Sequence, residues 1–251
     1  MKAPIYLSLI IGLLFIASCS KKDEDKQLTY FDPTTTKVKS VTYGSNNQTY
    51  SYTYNTSGLV ESIQVSDGSR STFNYDSVSV TQTNYNTAGA VISINRLELN
   101  SLGLAIHAAL TDGGGTLLST TEYTYDSNKH KTSELTYNAN NTLSAKTEYA
   151  WYGGDDLLNY SIFDSTNTNS TYSYFQTYFD GPTSLGSVFT GQTYLGTDTK
   201  SLVRKSLRYS SLYGDYVQEF EYVLDGLQRV SQVKTFDRNG NLKNTDSYTY
   251  Y

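Results

Sequence analysis

The chain has 251 residues and is acidic, with 24 Asp and Glu against 19 Lys and Arg and a net charge of −5. A surface of that sign disfavours nucleic acid, whose phosphates demand Lys and Arg. A single cysteine gives no disulfide framework and no thiolate metal site, so the fold must rest on buried side chains, which a chain of this length supplies as one domain.

Residues 1–18, MKAPIYLSLIIGLLFIAS, place Lys2 ahead of an apolar run from Ile5 to Ile16. The run is too short to cross a bilayer comfortably and has the make-up of a signal-peptide core, so it is expected to be removed. Ile16, Ala17, Ser18 and Cys19 resemble the lipobox of bacterial lipoproteins, which implies lipidation at Cys19. Residues 19–36 carry Lys21, Lys22, Asp23, Glu24 and Asp25 and read as a solvated tether. The acidic residues Asp23, Glu24 and Asp25, soon after the cysteine, resemble the export signal of Bacteroides-type surface lipoproteins. The resemblance implies an outer-membrane protein exposed at the cell surface, with membrane contact through acyl chains that gain ~0.8 kcal/mol per buried methylene.

From residue 37 to 251 the chain repeats one pattern: an aromatic, Asp or Asn, two free positions, Gly, a free position, then Leu or Val. YNTSGLV sets Tyr54, Asn55, Gly58 and Val60 on it, YNTAGAV sets Tyr85, Asn86, Gly89 and Val91, and FDRNGNL sets Phe236, Asp237, Gly240 and Leu242. YNANNTL offers Asn141 in place of glycine, while Asn100 with Gly103 and Asp112 with Gly115 lack the leading aromatic. Weaker copies begin at Tyr125, Tyr152, Phe163, Phe179 and Leu224. Asp or Asn opens a type I turn and Gly takes the left-handed residue after it, the recipe for a three-residue hairpin loop. Asp237 should then pair with Asn241, and Phe236 should face Leu242 across the strands, a favourable kind of pair.

Between turns the residues alternate. LSAKTEYAWY sends Leu143, Ala145, Thr147, Tyr149 and Trp151 one way and Ser144, Lys146 and Glu148 the other, the period of a half-buried strand. LKNTDSYTYY separates Leu242, Tyr248 and Tyr250 from Lys243, Thr245, Ser247 and Thr249 in the same manner. Only GLAIHAAL, from Gly103 to Leu110, is too short and apolar to assign. Turns about twelve residues apart give on the order of fifteen strands, and an open sheet of that size curls or closes. The expected fold is all-β, an antiparallel up-and-down meander rolled into a barrel-like or coiled sheet. Tyr and Leu should face inward, with Ser, Thr, Lys and Glu in water.

The motif, preceded by Tyr-x-Tyr as in YTYN and YTYD, resembles the YD repeats of Rhs-type proteins. With the lipobox and a single domain of this size, the chain is similar to an uncharacterised family of Bacteroides-type lipoproteins with a porin-like fold. The resemblance covers about residues 37–251 and implies no catalytic residue and no cofactor.

Candidate chemistry is sparse. His107 sits among apolar neighbours and His130 in a turn, and neither belongs to a metal or nucleophile motif. Asp155 and Asp156 beside Trp151 and Tyr152 could form a carboxylate pair at a sugar platform, although adjacent residues point apart. Asp237, Asn239 and Asn241, or Asp164, Asn167 and Asn169, could offer oxygens to calcium, although turn propensity accounts for the same residues and no bidentate Glu follows. Tyr149, Trp151 and Tyr152 are the aromatic candidates for ligand binding. The leading expectation is a non-catalytic binding module that takes a glycan or a surface protein. The alternatives are an assembly subunit, suggested by the exposed edges of repeated hairpins, and a membrane-spanning β-barrel, whose apolar outer band Thr and Ser here interrupt.

Overall fold

The computed structural model describes residues 37–152, 156–166, 168–177, 192–196, 202–210, 214–227 and 229–251. Cys19 with the leader and tether, the copy at Phe179, Asp155 and Asn167 lie outside the described residues. Sixteen strands are described: β1 Val38–Tyr43, β2 Gln48–Tyr54, β3 Val60–Val65, β4 Arg70–Tyr75, β5 Ser79–Tyr85, β6 Val91–Leu99, β7 Ala105–Asp112, β8 Leu117–Tyr125, β9 Lys131–Asn138, β10 Leu143–Tyr152, β11 Asp156–Asp164, β12 Asn169–Thr177, β13 Val203–Ser210, β14 Tyr216–Leu224, β15 Val230–Phe236 and β16 Leu242–Tyr250. Each pairs antiparallel with its chain neighbours and β16 returns to β1, so the sheet is a closed barrel. The stretch GLAIHAAL enters β7 at Ala105, with Ala105 and Ala108 inside and Ile106 an extra residue at the strand's start. Closure gives every described strand two neighbours and removes the free edges that motivated the assembly reading.

The turn chemistry has the expected register. Asp237 N–H donates to Asn241 O at 3.0 Å, Gly240 N–H donates to Asp237 O at 3.0 Å, and Phe236 faces Leu242. The side chain adds what spacing alone did not specify: Asp237 Oδ1 accepts the amides of Asn239 and Asn241, both at 2.9 Å. Asn55, Asn86, Asn100, Asp112, Asp126 and Asp225 bind the amides two and four residues on in the same way. Gly240 has φ 78°, and Asn141 and Lys129 fill the equivalent place at 62° and 68°.

Two rims follow from the up-and-down order. One, here the terminal rim, carries Lys37, Tyr251 and the turns after β2, β4, β6, β8 and β14; the distal rim carries the turns after odd-numbered strands. The body of the wall alternates as expected, with Val41, Tyr52, Phe73, Leu97 and Ala108 inside and packed together. At the rims the motif behaves in two ways. Val60, Ala105 and Val230, the aliphatics after terminal-rim turns, are 0–5% exposed, whereas Val91, Leu117 and Leu242, after distal-rim turns, are 37–55% exposed. The expectation that Tyr and Leu all face inward therefore holds at one rim and fails at the other. Strands such as β6, Val91–Leu99, span an odd number of residues and carry one extra residue just after the turn that precedes them, here Ile92. The bulge adds one residue to the alternation, which reverses the face between one motif copy and the next.

The terminal end of the lumen is filled. A 3-10 turn at Thr193–Leu195 lies there, with Tyr194 5% exposed and its ring 6.3 Å from that of Tyr75. Gly196 follows at φ 96°, where a β-carbon would lie 2.7 Å from Lys129 O and 2.8 Å from the Tyr125 ring. A second cluster of Leu202, Val230 and Val233 meets the first through Tyr248.

Candidate functional site

The aromatic residues singled out in β10 separate on folding. Trp151 points into the barrel and stacks on His130, with ring centroids 4.4 Å apart and planes 16° apart, and its indole N–H donates to Lys131 O at 2.8 Å. His130 is 1% exposed, and its Nδ1 lies 3.0 Å from Asp126 Oδ2. The histidine expected in a solvated turn is a buried anchor, because the Asp126 loop folds it beneath the indole. Tyr149 is also inside, 6.3 Å from Tyr160, with the Lys131 ammonium 5.2 Å above its ring. Burial and the nearby Glu134 carboxylate, itself paired with Lys131, push the Tyr149 phenol well above its ordinary pKa. Tyr152 alone of the three stands in solvent, 72% exposed.

Tyrosine hydroxyls have a task that spacing did not reveal. At the terminal rim Tyr54 OH donates to Val38 O, Tyr75 OH to Val60 O, Tyr222 OH to Val203 O and Tyr250 OH to Val230 O, at 2.7–2.8 Å. Each acceptor is the first residue of the preceding strand, as is Lys131 for Trp151. A bulged strand start leaves a carbonyl inside the barrel without a ladder partner, and the phenol supplies the missing donor. Among the described residues the outward aromatics of the distal rim have no such role, and Phe163 and Phe236 stand there beside Tyr85 and Tyr137.

The exposed Tyr152 lines the wall of a 520 Å³ pocket with Asp156, Leu157, Leu158, Tyr174, Phe175 and Arg204. It is a mixed surface, with two phenols and three apolar side chains between an acid and a base, and it lies where β10 ends and β11 and β13 begin. Such a mixture suits an amphipathic ligand that offers a ring face and hydroxyls. A smaller polar cavity of 120 Å³ lies within the lumen, lined by Asn95, Ala108, Leu110, Ser119, Thr121 and Tyr123. Nearby, Asn84 Oδ1 accepts from Ser71 Oγ and Gln82 Nε2, and Asn84 Nδ2 donates to Ser93 Oγ.

The calcium candidates are occupied by their own turn. Asp237 Oδ2 accepts from Asn241 Nδ2 at 3.0 Å and lies 3.1 Å from Lys243 Nζ, while Oδ1 holds two amides. Asp164 likewise binds the amides of Thr166 and Thr168. Among the described residues no cluster of three or more His, Cys, Asp or Glu side chains could hold a metal ion. His107 stands on the outer wall between Glu98 and Glu122 of the neighbouring strands.

No family model and no curated protein matches this sequence. Solved structures share its fold, two of them over most of the chain. A porin-like protein from Bacteroides uniformis is 17% identical with a TM-score of 0.65, over 88% of this chain and 100% of that one. A porin-like protein from Bacteroides vulgatus is 15% identical with a TM-score of 0.61, over 86% of this chain and 99% of that one. The chain has a porin-like fold.

A porin fold makes the outer wall the decisive surface. Here that wall carries Glu61, Arg70, Arg96, Glu122, Lys146 and Lys234, interspersed with Thr49, Ser51, Thr53, Thr72, Thr81 and Thr120. Cross-strand hydroxyl pairs such as Thr53 with Ser62, 2.8 Å apart, and ion pairs such as Lys205 with Glu219, at 2.8 Å, lie on it.

Proposed function

We propose that this protein is a YD-repeat lipoprotein, anchored to the outer membrane through Cys19 and exposed at the cell surface, whose barrel stands in water and binds a ligand without catalysing a reaction. The observation that carries the reading is the polarity of the wall. Charges on the outside of a spanning barrel cost ~2–4 kcal/mol each near the bilayer midplane for Arg and Lys, and the outer face here bears them at mid-strand, as at Arg96 and Lys146. The aromatic filling of the terminal end also differs from the aqueous channel that sixteen strands leave in a porin. The binding surface is the Tyr152 pocket, which fits a glycan or a protein side chain. The assembly reading makes that bound protein a permanent neighbour.

A spanning barrel is the second reading. It is favoured by the strand number and by exposed Val91, Ile92, Leu117 and Leu118 at the distal rim. Replacing Cys19 with serine and fractionating cells separates the two. The anchored domain would leave the membrane, whereas a spanning barrel would stay. Glycan arrays with wild type and Tyr152→Ala test the pocket. A bound glycan should be lost from the variant, and equal binding by both proteins would remove the pocket from the proposal.

A further inference from the structure

Arg208 points into the lumen from β13, two residues from the distal end of the strand, between Ser173 of β12 and Tyr216 of β14. Its Nε is buried and has no hydrogen-bond partner. Among the described residues no carboxylate pairs with it, although Arg229, Lys131, Lys146 and Lys205 each have one. Directly across the ladder, Ser173 is 1% exposed and its hydroxyl is likewise without a partner. Thr171, Ser206 and Ser210 surround the pair and are 6–8% exposed. Here the inner wall sets the buried Nε of an arginine among buried hydroxyls.

A guanidinium N–H removed from water ordinarily keeps an acceptor beside it, and a buried hydroxyl keeps a partner. A cation with adjacent hydroxyl donors and, among the described residues, no acid beside it is the donor set of an oxyanion site. We propose that the distal lumen binds a compact oxyanion, a carboxylate, phosphate or sulfate group, between Arg208 and Ser173. Tyr216, 44% exposed and paired with Arg208, stands at the entrance from the distal rim. The ligand is a free inorganic anion or an acidic group carried on a sugar. This site is at the opposite rim from the Tyr152 pocket, so each can fail without the other.

The test uses the full-length protein in detergent, with thermal unfolding followed at constant ionic strength. Inorganic phosphate, inorganic sulfate and galacturonate are each compared with chloride, and neutral galactose is the control for the sugar itself. A ligand of the folded state raises Tm in a saturable way. The expected result is such a rise for at least one oxyanion and none for galactose. Stabilisation by phosphate or sulfate assigns a free anion; stabilisation by galacturonate alone assigns an acidic sugar. Arg208→Gln should weaken the apparent affinity by about ten- to a hundredfold, and Arg208→Lys, which keeps the charge and loses the fork, by less. Ser173→Ala should leave unfolding without ligand unchanged, because its hydroxyl has no partner, yet weaken anion binding. Wild-type Tm that no oxyanion raises beyond chloride overturns the proposal, as does an equal rise in wild type and Arg208→Gln.

Discussion

Trp151 lies flat on His130 with the two ring centroids 4.4 Å apart, and the imidazole beneath it is closed off from solvent. The contact joins β10 to the turn before β9 and fixes the terminal end of the barrel. Trp151→Ala should therefore destabilise by about 3–5 kcal/mol in chemical denaturation. Tyr152→Ala, on the next residue but 72% exposed, should stay within about 0.5 kcal/mol. Comparable losses from both would refute the assignment of one ring to the interior and the other to the pocket.

Tyr75 and Tyr85 form a matched pair for the hydroxyl latches. Tyr75→Phe leaves the Val60 carbonyl inside the barrel without its donor and should cost about 1–3 kcal/mol. Tyr85 sits on the outer wall under the Arg70 guanidinium, 4.4 Å from its ring centroid, so Tyr85→Phe keeps that contact and should be close to neutral. Urea midpoints of the two variants decide the point.

Asp237 is held well below the usual carboxylate range by hydrogen bonds from the Asn241 side chain and amide and by Lys243, against a smaller opposing effect of desolvation. A depressed folded pKa gives stability that is complete above the ordinary value of 3.8 and lost as pH falls below it. Asp237→Asn keeps the oxygen that binds two amides and should abolish this site's share of the acid dependence. Asp237→Ala loses the amides too and should lower Tm at every pH. Thermal melts across the acid range distinguish them.

Lys129 occupies the left-handed turn position at φ 68°, where the preceding repeat uses Gly115 and the next Asn141. Lys129→Gly should stabilise by about 0.5–1 kcal/mol, after allowance for the added freedom of the unfolded chain. Gly196→Ala should act in the opposite direction, since the new methyl meets Lys129 O and the Tyr125 ring and unseats Tyr194. Melting temperatures of the single variants test both.

Burial pushes Tyr52, Tyr123 and Tyr194 up to about 12, from an ordinary 10.0. Neutral phenols are favoured in the fold, so their stabilisation is complete below pH 10 and disappears as pH rises toward 12. Phenolate absorbance should therefore rise cooperatively with loss of strand circular dichroism in that window. Smooth titration of the buried rings with the sheet intact would contradict it.

The repeat made the hairpins, their register and the rolling of the sheet legible, because Asp or Asn and Gly at fixed offsets determine a turn locally. Which way the flanking aromatic faces was not legible. Phe236 and Tyr54 occupy the same motif position and lie on opposite sides of the wall, since a register shift that no residue type announces reverses the alternation. Tyr149, Trp151 and Tyr152 are neighbours in sequence, and only Tyr152 reaches the pocket. Leu158, Tyr174 and Arg204 reach it from three other places in the chain, which spacing cannot bring together. Arg208 gave no signal at all, since an arginine in an alternating strand reads as solvent-facing until its cross-strand partners are known.

The seam between β1 and β16 joins residues more than two hundred apart, with Ser40 Oγ and Thr249 Oγ 2.7 Å from each other and Tyr251 N–H donating to Lys37 O. Until the last hairpin is made, β1 has no second partner and the nascent sheet keeps two raw flanks that can zip onto another chain. Once the ring is shut, head and tail adjoin, and a short linker between residues 37 and 251 would let the polypeptide be cut open at any exposed hairpin and still wind into the same cylinder.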